Sequence, residues 1–285
     1  MIIGFTGAGL DRMDQLRLNA ERLAAAIAHD SARLLALAGL DPVLGPDGRL
    51  AWDVIDRSEE LILLGFDGDA PLFAPLREGQ IGGAAFSMFR VLSEMDGRDA
   101  AIWGAARALN EWHARHRFCG ICGGRTMPFR AGWARACTGC NAEHFPRVDP
   151  VVIMLAEHDG KVLVGRQPRY PQGRYSALAG FVEPGESIEE AVARELHEEA
   201  GVRATSVRYV ASQPWPFPGS LMIGCIAPVA AAELTLDLEE LEDAMWVDAG
   251  DVRAALAGAP DAPFLAPPPY AIAHSLFLAW LAERS

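Results

Sequence analysis

The stretch ESIEEAVARELHEEAG, residues 186–201, contains a local conflict that decides how the rest of the chain is read. Ser187, followed three residues later by Glu190, forms a capping box, and Gly201 offers a left-handed stop, so the pattern predicts a helix over 188–200. Glu189 and Glu190 fall in the first turn, where the macrodipole favours negative charge. Glu198 and Glu199 fall in the last turn, where it does not, and with Glu195 they stand at spacings that cost a few tenths of a kcal/mol per pair. With Ile188 at zero and about 100° per residue, Ala191, Val192 and Leu196 lie at roughly 300°, 40° and 80°. Glu195 and Glu199 then fall at roughly 340° and 20°, inside the apolar face, and Glu198 at roughly 280° borders it.

Carboxylates directed inward must be paired or neutralised. Arg194 is expected to pair with one neighbour but not with three. Hard divalent cations seek clustered carboxylate oxygens, and Mg2+ is commonly shared between a few carboxylates and substrate phosphates. A metal site is therefore the preferred reading, with a structural ion-pair network as its competitor.

On either side of this helix the pattern is that of a mixed α/β chain. VVIMLA (151–156) and KVLVG (161–165), separated by HDG, predict a hairpin, and PFLAPPPYAIAHSLFLAWLAER (263–284) predicts a Pro-rich lead into a closing helix. Upstream, MDQLRLNAERLAAAIA (13–28) and AAIWGAARALNEWHARH (100–116) have helical spacing, while AWDVID and LILLGF resemble strands. TGAGLDR lacks the lysine and spacing of a phosphate-binding loop, so this first block is read as structural.

Between these blocks lie Cys119, Cys122, Cys137 and Cys140, two C-x2-C pairs separated by fourteen residues. Such knuckles place four thiolates around structural Zn2+ and leave no open position for chemistry. Two disulfides are the alternative, disfavoured in a reducing compartment. His113, His116 and His144 are expected to be solvated, and Cys225 to be a core residue.

The chain has 285 residues, 51% hydrophobic and 22% charged, with a formal net charge of -13. No apolar run of membrane-spanning length and no secretory signal are visible, so a cytoplasmic location and no membrane partner are expected. The acidic balance opposes general affinity for nucleic acid. Residues 107–147 nevertheless carry seven arginines against Glu111 and Glu143, which gives either a solvated face or a local docking surface for phosphate.

Gly180, Glu186, Arg194, Glu195, Leu196, Glu198, Glu199, Gly201 and Val202 match the Nudix box, G-x5-E-x7-R-E-U-x-E-E-x-G-U with U aliphatic. SQPWPFPGS (212–220) resembles the signature of the NADH pyrophosphatase subgroup, in which a four-cysteine ribbon also precedes the box, and FTGAGLDR resembles the start of its N-terminal domain. The resemblance implies an α/β/α sandwich with a mixed sheet, acting as a homodimer. It divides the chain into a Nudix-like N-terminal domain (1–117), a zinc ribbon (118–146) and a Nudix hydrolase domain (147–285).

The activity it implies is hydrolysis of NAD(H) to nicotinamide mononucleotide and AMP, extending in some members to NAD-capped RNA. Glu195, Glu198 and Glu199 would be catalytic and, with Glu240, would hold Mg2+ or Mn2+, with Glu198 or Glu199 activating the water. Glu186 and Arg194 would brace the loop and helix. Phe181 would stack on the nicotinamide, although on its residue type alone a core aromatic is the preferred reading. Gln213 and Ser220 are expected substrate contacts, as are main-chain groups near Ile272 and Ala273, and Phe145 stands where the subgroup often has tyrosine. Two other functions compete: a Nudix diphosphatase preferring ADP-ribose, FAD or dinucleoside polyphosphates, and a non-catalytic zinc-ribbon RNA-binding protein. The SQPWPFPGS signature counts against the first, and the complete set of box carboxylates against the second.

Overall fold

The computed structural model describes residues 3–56, 58–79 and 91–284. It divides into two compact units, one of Phe5–Val148 with Pro214–Gly219, the other of Met1–Gly4, Asp149–Gln213 and Ser220–Ser285. Among the described residues, no helix is long and apolar enough to cross a membrane.

In the first unit, helix α1 (Ala20–Ile27) and strands β1 (Arg33–Leu35), β2 (Leu37–Ala38), β3 (Asp41–Pro42), β4 (Trp52–Asp53), β5 (Leu61–Asp67) and β6 (Ala70–Pro75) precede the long helix α2 (Gly97–Arg115). The main sheet runs β4-β1-β6-β5, with β1 and β6 parallel. The helical pattern over 13–28 is broken. It yields a single tight turn at Asp14–Leu16 and then α1, because Asn19 adopts an extended backbone and its side chain accepts the Arg22 N–H as an N-cap. Helix α2 is buried on nearly every side, including Asp99, Arg107, Asn110, Glu111 and His113, as befits a central core element. Three short antiparallel strands follow, β7 (Thr126–Phe129), β8 (Ala134–Cys137) and β9 (Glu143–His144).

The second unit contains β10 (Asp149–His158), β11 (Lys161–Arg166), β12 (Leu178–Phe181), helix α3 (Ile188–Ala200), β13 (Arg208–Trp215), β14 (Ser220–Pro228), β15 (Asp243–Val247), and helices α4 (Ala249–Leu256) and α5 (Ile272–Ala282). Its sheet runs β13-β14-β10-β11-β15 with β12 also on β10, and it is mixed: β10 is parallel to β14 and antiparallel to β11 and β12. Asp159 and Gly160 both take positive φ at the β10–β11 turn, the backbone twist that a two-residue hairpin requires.

Alternation along β10 divides the core into two layers. Ile153 and Leu155 face Leu276, Phe277 and Trp280 of α5, whereas Val152, Met154 and Ala156 face Ala191, Val192, Leu196 and Ala200 of α3. Burial on both faces of this sheet makes the unit an α/β/α sandwich.

Candidate active site

The helix bearing the glutamates is built as its sequence predicts. Ser187 and Glu190 form a reciprocal capping box, and Gly201, at φ 72°, closes the C-terminus while its N–H donates to His197 O. Glu195 and Glu199 lie on the buried face, 8% and 2% exposed, and Glu198 reaches solvent. The Glu195 carboxylate is seated against the backbone of β12. A Cβ added to Gly180 would lie 1.9 Å from Glu195 Oε1, so the glycine at this position is a steric requirement.

Arg194 does more than a single pairing. Its Nε and Nη2 donate to the two oxygens of Glu186 at 2.7 and 2.9 Å, and Nη1 donates to Glu195 at 2.8 Å and Glu198 at 3.0 Å. Nη2 also donates to Phe181 O at 2.8 Å. The planar fork, with five N–H donors, reaches three carboxylates at once, which overturns the expectation of one partner. Glu186 in addition accepts the Glu183 N–H, and the Arg194 hydrogen bonds followed by that N–H hold its carboxyl down at about 2.

Glu199 is left over. Its Oε2 is buried with no hydrogen-bond partner. Burial first, then the charges of Glu195 and Glu240, push its carboxyl up to about 8. Burial also raises Glu195, against the pull of Arg194. Glu240 is brought there by the segment that wraps the end of α3: Thr235 N–H donates to Ala200 O, Asp237 N–H to Glu199 O, and Glu240 N–H to Asp237 O. A buried carboxylate with an orphaned oxygen beside two further carboxylates suits a divalent cation, because it is costly without one. A residue that sequence reasoning passed over also faces this place. Tyr170, half-buried, has its phenol raised by burial and by the Glu199 charge, and no motif marks it.

The remaining expected contacts are distributed around the sheet. Phe181 is 61% exposed at the end of β12, so the core reading of this residue is wrong. Val151 stands opposite both Phe181 and Met222, and Asp149 opposite Ser220, so Phe181, Ser220 and the start of β10 share one end of the sheet. Gln213 is fully buried; its Nε2 donates to Tyr270 O at 2.6 Å and its Oε1 has no partner. Ile272 and Ala273 are buried at the start of α5, whose first turn has no side-chain cap. Phe145, in the other unit, is half exposed, with the Arg130 guanidinium 5.8 Å from its ring.

The four cysteine Sγ atoms lie within 4.8 Å of one another, with Cys119–Cys140 at 3.7 Å and Cys122–Cys137 at 3.4 Å. These separations exceed a disulfide bond of about 2.05 Å. They are close to the edge of about 3.8 Å expected of a tetrahedron with Zn–S of about 2.3 Å, so the ribbon fits structural zinc. N–H groups of Ile121, Gly139 and Cys140 point at Sγ atoms. The histidines are not solvated spectators. His113 is fully buried between Gly132 O and Arg135 Nη1, burial pulling it down to about 4, and His144 Nε2 lies 3.3 Å from Cys119 Sγ. Cys225 is a core residue.

Residues 146–266 match the Nudix domain family, and residues 114–145 match the NADH pyrophosphatase zinc ribbon domain. Three relatives are similar over two thirds of this chain or more. NAD-capped RNA hydrolase NUDT12 of Homo sapiens is 44% identical over 200 residues, covering 67% of this chain but only 43% of that protein, so the chain spans less than half the length of that relative. NAD(P)H pyrophosphatase NUDT13, mitochondrial, of Homo sapiens is 37% identical over 82% of this chain and 69% of its own length. NAD-capped RNA hydrolase NudC of Mycobacterium bovis is 37% identical over 96% and 93% of the two chains. The box geometry, the ribbon and these relatives together show that the chain belongs to the Nudix hydrolase superfamily, in the group that carries the NADH pyrophosphatase zinc ribbon.

Proposed function

We propose that this protein hydrolyses the pyrophosphate of NAD(H), releasing nicotinamide mononucleotide and AMP, with Mg2+ or Mn2+ at the carboxylates of α3. The observation that carries this reading is Glu199, a buried carboxylate with an orphaned oxygen beside Glu195 and Glu240. Glu195, Glu199 and Glu240, with Glu198 at the rim, are the residues that would hold the cation. When bound, a divalent ion shields the pyrophosphate oxygens and lowers the barrier to attack by water.

The chain's own residues do the rest. Glu198, which reaches solvent on its Arg194 tether, would take the proton of the attacking water, and Glu199, 2% exposed, would hold the cation. Arg194 and Glu186 lock the loop to the helix, so that the carboxylates do not splay. Phe181, exposed at the same sheet end as Ser220, offers a ring on which the nicotinamide stacks. A second copy of the chain, as in a homodimer, would complete the substrate site.

Incubation with NADH, NAD, ADP-ribose and FAD under each metal, with product identification, tests the proposal. The expected outcome is AMP and reduced nicotinamide mononucleotide from NADH, abolished in Glu199→Gln. Glu198→Gln is expected to lower kcat while retaining cation binding. Intact NADH under both metals sinks the reading, and preferential cleavage of ADP-ribose or FAD favours the broader diphosphatase.

Removal of NAD caps from RNA is a second reading, favoured by one feature of the ribbon. Exposed Phe118 and exposed Arg125 are bridged neighbours there, an aromatic–arginine pair suited to an unpaired nucleotide strand.

A further inference from the structure

The loop between β11 and β12, QPRYPQGRYSA (167–177), carries two arginines and no acidic residue in a chain of net charge -13. It is firmly built at its root. Arg166, the last residue of β11, pairs in register with Asp243 of β15, donates from Nε to Glu242 at 3.0 Å, and reaches into the loop to Tyr170 O at 3.0 Å and to Pro171 O. Gly165 and Ser176 exchange backbone hydrogen bonds, and Leu265 N–H donates to Gly173 O at 2.8 Å, which secures the returning arm.

The sheet register determines where this loop stands. Strand β11 runs antiparallel to β10 and so ends toward the beginning of β10, where Val151 faces Phe181 and the Gly180–Glu195 cradle lies. Glu240 stands three residues before Asp243, the partner of Arg166, and its N–H donates to Asp237 O while Asp237 N–H donates to Glu199 O. The loop and the α3 carboxylates therefore belong to one end of one compact unit. Tyr170, half-buried, stands in the field of Glu199 with the Arg169 guanidinium beside its phenol.

Charge gives this placement its meaning. The site holds Glu186, Glu195, Glu198, Glu199 and Glu240, and a pyrophosphate brings further negative charge to it. A divalent cation answers the carboxylates, yet the diphosphate oxygens that it leaves uncovered still need donors. Arg194 cannot serve, because its fork is taken by Glu186, Glu195 and Glu198, and Arg166 is taken by Glu242 and loop carbonyls. Arg169 is exposed, its Nε donates to the neutral Gln167 Oε1 at 2.8 Å, and among the described residues it pairs with no carboxylate. That bond spans two residues and adds little to a loop already held by Arg166. Arg174 has no carboxylate partner either, but its charge acts on Tyr270, ahead of α5.

We infer that Arg169 and Tyr170 form a donor wall of the substrate site and bind the pyrophosphate oxygens that the cation leaves uncovered. The guanidinium presents paired N–H donors to a phosphate, and the phenol O–H adds a neutral one. The inference deepens the NAD(H) reading and rests on it for the substrate, whereas the group recognised is the diphosphate itself.

Arg169→Gln, Arg169→Lys and Tyr170→Phe in the full chain test it. Arg203→Gln is the charge control: Arg203 is exposed beside Ala204, which bridges Val229 at the other end of β10. Calorimetric titration with inorganic pyrophosphate in the presence of Mg2+ is expected to show affinity reduced about tenfold in Arg169→Gln and about threefold in Tyr170→Phe, partly recovered in Arg169→Lys and unchanged in Arg203→Gln. Binding of Mg2+ alone and the melting temperature should match the wild type, and KM for NADH should rise in parallel with kcat within about twofold. Wild-type affinity in either Arg169→Gln or Tyr170→Phe overturns the inference. So do an equal loss in Arg203→Gln, a loss that follows a lowered melting temperature or weakened Mg2+ binding, and the absence of saturable pyrophosphate binding by the wild type. If the wild type leaves NADH intact but binds pyrophosphate through Arg169, the functional proposal fails and the inference stands.

Discussion

Glu199 shows how far one residue can be read from sequence. Its inward direction follows from helical phase alone, because 3.6-residue periodicity places it with Glu195 among Ala191, Val192 and Leu196. What the sequence concealed is the reach of Arg194, which pairs with Glu186, Glu195 and Glu198 and so isolates Glu199 as the carboxylate without a cation. That isolation has a testable thermodynamic sign. A carboxyl whose folded pKa is raised from 4.5 to about 8 binds its proton more tightly in the native state, so its contribution to stability is full below pH 4.5 and is lost as pH rises through 8. His113, lowered from 6.5 to about 4, acts oppositely, adding stability as pH rises between those values. The two trends oppose each other below pH 6.5, leaving Glu199 dominant above it. Protein without added Mg2+, but with zinc retained, is expected to lose melting temperature between pH 6.5 and 8.5, by an amount of the order of a few kcal/mol in stability. Glu199→Gln should flatten that slope, and added Mg2+ should stabilise the wild type more at pH 8 than at pH 6. A slope unchanged in the Gln variant refutes the assignment.

At the scale of elements, caps and metal-type spacings were legible because their chemistry is local. The capping box of α3, the Asp159–Gly160 hairpin and the four cysteines each follow from a few adjacent residues. Two readings failed, one to a local competitor that periodicity does not weigh and one to partners distant in the sequence. Asn19 interrupts the run 13–28 by capping a shorter helix, a competition that periodicity does not register. His113 is a polar letter in a helix that tertiary packing buries entirely; its partners Gly132 and Arg135 lie 19 and 22 residues away. Those partners tie the ribbon to α2. Arg135, 1% exposed, donates to Thr126, adjoins His113 and pairs with Glu78. Zinc removal should therefore loosen more than the knuckles. Hydrogen exchange after chelation is expected to accelerate across the ribbon and the C-terminal turns of α2, while the paired amides of β10 and β14 stay protected. His144→Ala, which removes the imidazole beside Cys119 Sγ, should hasten zinc loss to a chelator severalfold. Acceleration confined to the cysteine loops would show that the Arg135–His113 contact does not couple the two elements.

Charge is the property of the whole molecule that its parts qualify most. A net -13 opposes polyanions, yet residues 107–147 are basic, and burial determines which of their arginines can act outward. Arg107 and Arg135 are spent inside the fold, on Glu111 and Glu78 among others, so neither belongs to a docking face. The sequence could not distinguish these from Arg115 and Arg125, which are exposed, since both kinds sit among small and aromatic residues and differ only in long-range partners. The Arg107 bond to Pro216 spans 109 residues of sequence, which is why the grouping of 214–219 with the first unit was likewise invisible. If the ribbon recruits NAD-capped transcripts, its effect should depend on the length of the polyanion and on salt, because each phosphate neutralised releases counterions. Arg125→Glu with Phe118→Ser, both surface changes, is expected to slow decapping of NAD-capped RNA by about tenfold at low salt and to leave free NADH hydrolysis within about twofold. The difference between wild type and variant should shrink as salt rises toward about 0.5 M, where screening removes the advantage of the basic face. Equal losses on RNA and NADH would mean that the substitutions act on the fold, and no loss on either would assign these residues to the solvated surface.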